Sequence, residues 1–153
     1  MKAPLASLLL ALTLQAHAQA PAPAESDARI GTFKQVQGET WVGPIDTRRA
    51  VHPGDSLRAA DRVSTGRDGA AVIVLRDGTA LTVGPSSTLD LSRFQFDATT
   101  QQGNVLLDLL QGTLRVVTGV LAKVNPDLFK VQTPTAVVGV RGTDFIVETQ
   151  AAR

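Results

Sequence analysis

The chain contains no cysteine and no tyrosine, and it has one tryptophan and five phenylalanines among 153 residues. Without cysteine it can form no disulfides and can carry no lipid on a cysteine side chain, so a folded domain must rely on its apolar core. Two histidines are present, His17 and His52. Because a zinc site then needs mostly carboxylate ligands, which is unusual, the sequence predicts no metal at His52.

Charge of one sign is also missing, with 15 basic residues against 14 acidic ones. Nucleic-acid-binding domains normally carry a basic excess or a basic cluster. Arg48 and Arg49 are the one adjacent basic pair in the sequence. We therefore expect no nucleic-acid partner and no attraction to an anionic membrane surface.

The first 20 residues, MKAPLASLLLALTLQAHAQA, have the pattern of a secretory signal peptide. A positive start precedes an apolar run that is too short to span a bilayer, and Ala16, His17 and Ala18 form an A-x-A cleavage pattern. The sequence thus predicts a signal peptide at 1–18, a flexible Pro/Ala-rich leader at 19–29 and one domain at 30–150. We expect a periplasmic product, with an extracellular location second, and no membrane insertion after cleavage.

The domain consists of short apolar runs separated by glycine-containing and proline-containing turns, which is the pattern of an all-β fold. The expected architecture is a single domain of stacked short strands, either β-solenoid-like or sandwich-like. The candidate strands are 31–36, 40–43, 56–59, 70–76, 79–83, 88–91, 105–110, 113–117, 128–133, 136–140 and 143–149.

Two segments carry more specific expectations. In AAVIVLRDGTALTV (70–83), Asp77-Gly78 joins two strongly β-forming runs and predicts a hairpin. The first run is apolar on both faces, so it should lie inside the molecule or be covered on its second side. NVLLDLLQG (104–112) is compatible with a short helix, but we favour a strand with Val105, Leu107 and Leu109 facing inward.

Patterns for catalysis and cofactor binding are absent. The sequence has no G-x-S-x-G elbow, no P-loop or dinucleotide fingerprint and no EF-hand loop, and its Asp-Gly pairs are ordinary turn residues. We predict no catalytic, cofactor-binding or metal-binding residues and no enzymatic activity. Trp41 could offer a sugar platform, but core or partial-core burial is the preferred interpretation.

Five ordered motifs resemble the periplasmic domain of the FecR family over about residues 31–149. They are GD (54–55) with DRVSTG (61–66), AVIVLRDGT (71–79), GTLRV (112–116), FKVQTP (129–134) and VRGTDF (140–145). The motif residues, which we interpret as structural, are Asp77, Gly78, Gly112, Thr133, Pro134, Arg141, Gly142, Thr143 and Phe145.

The resemblance implies an all-β periplasmic domain that binds or scaffolds other proteins. Founding members of the family sit in the inner membrane and relay an iron-siderophore signal from an outer-membrane receptor to a sigma factor. Here a cleavable signal pattern stands in place of the cytoplasmic segment and membrane helix. We therefore expect a stand-alone secreted domain to which the relay role does not transfer.

The leading hypothesis is a non-enzymatic protein-interaction or scaffold module of the cell envelope, with a role in envelope signalling and an unidentified envelope protein as its partner. A glycan-binding or peptidoglycan-binding accessory module is the alternative. A hydrolase with an unrecognised carboxylate pair is the least favoured reading.

Arg141 yields the first testable prediction. Glycines on either side at 139 and 142 indicate irregular backbone, and an arginine there can bind free carbonyl oxygens or pair with Asp144 or another carboxylate. Arg141→Ala should therefore lower the melting temperature. An unchanged melting temperature together with lost partner binding would show that Arg141 is a contact residue instead.

Overall fold

The computed structural model describes residues 29–140 and 142–151, which form twelve strands and one short helix. A 3₁₀ turn follows β2 at Ile45–Thr47, and another follows the helix at Pro126–Leu128. The strands are β1 (Arg29–Gln37), β2 (Thr40–Val42), β3 (Arg49–Ala50), β4 (Ser56–Arg58), β5 (Arg62–Thr65), β6 (Ala70–Leu75), β7 (Ala80–Val83), β8 (Thr88–Asp97), β9 (Gln102–Val117), β10 (Phe129–Gln132), β11 (Val137–Gly139) and β12 (Asp144–Thr149), and the helix is α1 (Val120–Val124).

The all-β prediction is confirmed. The strands form a single curled sheet in which they pair antiparallel, except that β10 runs parallel to β9. One half, which we call the front sheet, has the order β4-β1-β6-β7-β9-β12. The other half, the back sheet, has the order β3-β2-β5-β8-β9-β10-β11.

The hairpin prediction at Asp77-Gly78 is also confirmed, because β6 and β7 pair antiparallel around this turn. Ala71, Ile73 and Leu75 are buried on one face, and Leu81 and Val83 continue that face after the turn. The period of two follows from strand geometry, in which successive side chains point to opposite faces.

Strand β9 belongs to both halves of the sheet. Its first part pairs with β8 and β10, and its second part pairs with β7 and β12. Val105, Leu107 and Leu109 are fully buried, as expected for the strand interpretation of 104–112. The separate strands expected at 105–110 and 113–117 are wrong, because both segments lie within β9.

The inward face of β9 changes parity along the strand. The odd-numbered residues from Val105 to Leu109 face the core, but further on the even-numbered Leu114 and Val116 do so. One extra residue separates the two runs, because the pairing register of β9 with β8 shifts at Leu110, and Gly112, two residues later, has a φ of +93°. The bend lets one strand contribute side chains to the core from both halves.

Because the chain has no cysteine, the stability of the domain depends on its apolar core. Its largest fully buried side chains come from both halves of the sheet: Phe33, Leu57, Ile73, Leu81, Leu89, Leu91, Leu107, Leu109, Leu114, Leu121 and Phe129. Burial of each such side chain contributes about 1.5–3 kcal/mol.

Three elements were not expected from the sequence, namely β3, β5 and the helix α1. Strand β5 (RVST) has a single large apolar residue, Val63, and is held in the sheet by backbone pairing with β2 and β8. Helix α1 has five residues, of which Leu121 and Ala122 are buried. In the described part of the chain, no helix is long and apolar enough to cross a membrane.

A matched pair of glycine variants tests the bend in β9. A Cβ at residue 112 would lie 2.5 Å from Ser87 Cα, whereas a Cβ at Gly54, with a similar φ of +95°, would meet nothing within 4 Å. Gly54→Ala should cost about 1–2 kcal/mol through its φ alone. Gly112→Ala should cost about 1–3 kcal/mol more, because the added methyl overpacks the bend. Urea unfolding measures both, and equal losses would contradict the account.

Candidate interaction surface

The outer face of the front sheet carries apolar side chains in neighbouring strands. In one row, Val74 lies opposite Ala80, and Ala80 lies opposite Val117. In the next row, Val72 lies opposite Thr82, Thr82 lies opposite Arg115, and Arg115 lies opposite Ile146. Val117 is 41% exposed and Ile146 is 65% exposed. We call the surface formed by Val72, Val74, Ala80, Val117 and Ile146 the outer patch.

The second face of β6 is therefore not fully buried, contrary to the expectation from its sequence. Ala70, Val72 and Val74 are half-buried, while the alternate residues of the same strand lie in the core. No described element covers this face completely. Apolar residues on the solvent side of a sheet are informative when they cluster, because contiguous apolar patches mark interaction sites.

An ion pair lies between Val117 and Ile146 of the outer patch and joins β9 to β12. Arg115 donates from Nε to Asp144 Oδ1 at 3.0 Å and from Nη2 to Asp144 Oδ2 at 2.6 Å. These hydrogen bonds lower the pKa of Asp144 and raise the pKa of Arg115. The Asp144 carboxylate thus already has a bidentate partner, whereas Arg141, which was expected to pair with it or with another carboxylate, lies outside the described residues.

Strand β12 has one unpaired edge, since among the described strands it pairs only with β9. The Thr118 N–H donates to the Thr143 carbonyl at 2.9 Å, so residues 118 and 143 form a hydrogen-bonded pair. In an antiparallel ladder such pairs recur at every second residue. Residues 145, 147 and 149 then direct their backbone groups at β9. The backbone N–H and C=O groups of residues 144, 146 and 148 point to the free edge.

A groove of about 400 Å³ lies between β11 and β12. A Cβ added at Gly139 or at Gly142 would meet no atom within 4 Å, so the space beside both glycines is open. Phe145 is half-buried against the core, and Val140 and Val147 are buried. The groove lining is mostly apolar: Val138, Gly139, Val140, Gly142, Phe145, Ile146, Val147 and Glu148.

The turn between β6 and β7 is a buried polar corner. Asp77 accepts hydrogen bonds from the Thr79 N–H at 3.0 Å and from the Thr79 hydroxyl at 2.7 Å. The same hydroxyl accepts from the Gly119 N–H at 3.0 Å, and the Val120 N–H donates to the Asp77 carbonyl at 2.9 Å. Residue 119 must be glycine here, because a Cβ would lie 2.3 Å from the Asp77 carbonyl oxygen.

The remaining motif residues occupy turns near the ends of β10 and β12. Thr133 Oγ1 accepts from the Ala136 N–H at 3.1 Å, while Pro134 next to it is exposed. The Gly142 carbonyl accepts from the Thr118 hydroxyl at 3.3 Å, and Thr143 bonds Thr118 through its carbonyl. The structural role assigned to these residues from the sequence stays a prediction that variants must test.

Trp41 and His52 line the same shallow pocket beside β2 and the end of β3. Trp41 is half-buried outside the core, with the Arg48 guanidinium 4.6 Å from its ring centroid, so core burial of this side chain is wrong and partial burial is correct. His52 is exposed, and its backbone N–H donates to Asp55 at 3.0 Å. Among the described residues, no group of three or more His, Asp or Glu side chains could hold a metal ion.

A second groove, of about 800 Å³, lies between the end of the β8–β9 hairpin and α1. Its apolar floor consists of Phe96, Leu121, Val124 and Leu128. Five carboxamides line it, and none makes a side-chain hydrogen bond within the described chain: Gln95, Gln101, Gln102, Asn104 and Asn125.

Asp55 and Asp97 are stabilised in their charged forms. Hydrogen bonds from backbone N–H groups lower the pKa of Asp55 and of Asp97, with the His52 N–H as the largest cause at Asp55 and the Thr100 N–H as the largest at Asp97. An acid catalyst needs the opposite shift. The cleft that contains Asp46 and Asp90 offers two carboxylates, but Asp90 accepts two 2.6 Å hydrogen bonds from Arg62.

A family model described as FecR protein matches residues 61–153, which is more than half of the chain. The matched range begins just before β5, so β1 to β4 lie outside it, although the motif resemblance was expected to begin near residue 31. No curated protein and no solved structure matches the chain.

The Asp77–Thr79–Gly119 corner gives a stability prediction. Thr79→Val keeps the side-chain shape but leaves the buried Gly119 N–H without an acceptor, which should cost about 1–3 kcal/mol. The control is Thr82→Val on the half-exposed outer face, which should change the free energy of unfolding by less than about 0.5 kcal/mol. Equal effects of the two variants in urea unfolding would show that the corner is not a stabilising network.

Proposed function

Because the chain belongs to the FecR family, which is regulatory and non-enzymatic, we propose that its domain is a protein-interaction module of the bacterial envelope that acts in signalling. The module binds another envelope protein and performs no chemistry on it. The signal-peptide pattern at 1–18 supports export to the periplasm as its place of action.

The observation that carries the proposal is the outer patch. In an antiparallel sheet with one face on the core, the face that points to solvent normally carries polar residues. Here Val72, Val74 and Ala80 are half-buried, and Val117 and Ile146 are more exposed. A partner that covers this face would gain the free energy of burying it.

The arrangement of charged side chains supports a role without catalysis. The Arg62–Asp90 and Arg115–Asp144 pairs hold their carboxylates in bidentate ion pairs. Such pairs fix strand positions, and each oxygen of the two carboxylates already accepts a charge-assisted hydrogen bond.

Glycan binding is the second candidate, and the carboxamide groove is the observation that favours it. Carboxamides can donate to and accept from hydroxyl groups, and an apolar floor can contact the C–H face of a sugar ring. Trp41 contributes less to this candidate than expected, because the Arg48 guanidinium already covers one face of its ring.

Photo-crosslinking in cells tests the proposed function. A photoreactive phenylalanine analogue at Val117, in the outer patch, should form adducts with a specific envelope protein. The control position is Lys130, which is exposed on β10 of the back sheet. The same analogue there should form no such adduct, because this position lies away from the proposed contact.

Three outcomes are informative. A protein adduct from Val117 alone supports the proposal. Absence of protein adducts from both positions contradicts it. Absence of protein adducts combined with retention of the domain on purified peptidoglycan, and loss of that retention in Asn104→Ala, would favour the glycan candidate.

A further inference from the structure

We propose that the free edge of β12 binds an extended segment of the partner protein as an added strand, and that a basic side chain of this segment pairs with Glu148. The inference rests on the proposed function and specifies its site and its chemistry. The bound segment would extend the front sheet beyond β12.

Backbone groups supply the first part of the argument. The N–H and C=O groups of Ile146 and Glu148 point away from β9, and β12 has no second partner strand in the described chain. An unpaired edge is a template for strand addition, and native proteins usually block such edges. Addition of a peptide strand to an exposed edge is an established mode of recognition.

Side chains on the outer face of β12 supply the second part. Ile146 is 65% exposed and continues the outer patch, so an apolar side chain opposite it would be buried on binding. Glu148 is exposed and has no ion pair within the described residues. Asp144 differs, because Arg115 already neutralises it. A basic residue in the added strand is therefore favoured opposite Glu148 over Asp144.

The groove between β11 and β12 supplies the third part. It offers about 400 Å³ of mostly apolar space beside β12, bordered by the inward-facing Phe145 and Val147. Side chains of an added strand alternate between the two faces of the sheet. Those that point inward can enter this groove. A partner segment that fits the β12 edge therefore has apolar residues on both faces and one basic residue on its outer face.

A second copy of this chain fits the edge less well. If two β12 strands paired antiparallel about Ile146, Asp144 of each copy would lie directly opposite Glu148 of the other. Glu148 would then face an aspartate whose charge Arg115 already balances, so it would gain no basic partner of its own in a homodimer. The charge pattern thus favours a different chain with a basic residue at this place.

The test uses a displayed library of random seven-residue peptides, selected on the intact protein. Selected peptides should combine β-branched residues with Lys or Arg. Their dissociation constants are then measured by fluorescence anisotropy for the parent protein and three variants. Ile146→Pro removes one outward N–H and no hydrogen bond to β9, a position where proline is compatible with an edge strand. Ile146→Thr is its matched control, since it keeps the N–H and a β-forming side chain.

Ile146→Pro should weaken peptide binding about tenfold or more, because an inter-strand hydrogen bond and close approach are lost, whereas Ile146→Thr should change it only about threefold. Glu148→Lys, which is exposed and should leave the fold intact, should also weaken binding about tenfold and shift a repeated selection towards acidic peptides. Melting temperatures of all variants confirm that each is folded.

A library that gives no binder would overturn the inference, as would peptides whose binding is unaffected by Ile146→Pro and Glu148→Lys. A homodimer that Ile146→Pro dissociates would overturn it as well. If Val117 still forms a protein adduct in cells while the edge variants have no effect, the domain binds its partner elsewhere and the proposed function stands without this site.

Discussion

The structure depends on the bend in β9 at Gly112. Among the described elements, this 16-residue strand is the one that the front and back sheets share, and it supplies core side chains to both. The bend works because Gly112 takes a positive φ and packs directly on Ser87. The Ser87 hydroxyl accepts from the Thr113 N–H at 2.9 Å, so the bend also has its own polar support. Without the bend, the odd-numbered residues of β9 would continue to face the core, and Leu114 and Val116 would point away from it.

The same arrangement exposes the surfaces that we assign to binding. After the bend, β9 holds β7 on one edge and β12 on the other. Strand β12 is thereby the last strand of the front sheet, with six residues and an apolar outer side chain at Ile146. The Arg115–Asp144 pair anchors β12 at its first residue. An exposed ion pair of this kind adds little stability but fixes geometry through its two parallel hydrogen bonds.

Local signals predicted much of this fold, because they act within a few residues. Asp77-Gly78 between two strongly β-forming runs predicted the hairpin of β6 and β7. Other features depend on contacts between distant segments. Gly112 looks like a turn residue in the sequence, and only its contact with Ser87, 25 positions earlier, shows that the strand continues. Helix α1 (VLAKV) has five residues, too few for a helical period to show in the sequence, and it is held by packing of Leu121 against the core.

The candidate site was less predictable than the fold for the same reason. The two-sided apolar character of β6 was visible, but the sequence could not show whether another element covers its second face. The edge position of β12 follows from long-range pairing with β9. A strand at 143–149 was predicted, but its acidic residues looked alike in the sequence. The neutralisation of Asp144 by Arg115, 29 positions away, distinguishes it from Glu148.

The central claim is that the front sheet ends in an open, binding-competent edge at β12. Amide hydrogen exchange of the free protein, resolved residue by residue by NMR, tests it most directly. The account predicts alternation along β12, with slow exchange at Phe145 and Val147, whose N–H groups face β9, and fast exchange at Ile146 and Glu148. Equal protection of all four amides would mean that the edge is already covered, and would contradict the account.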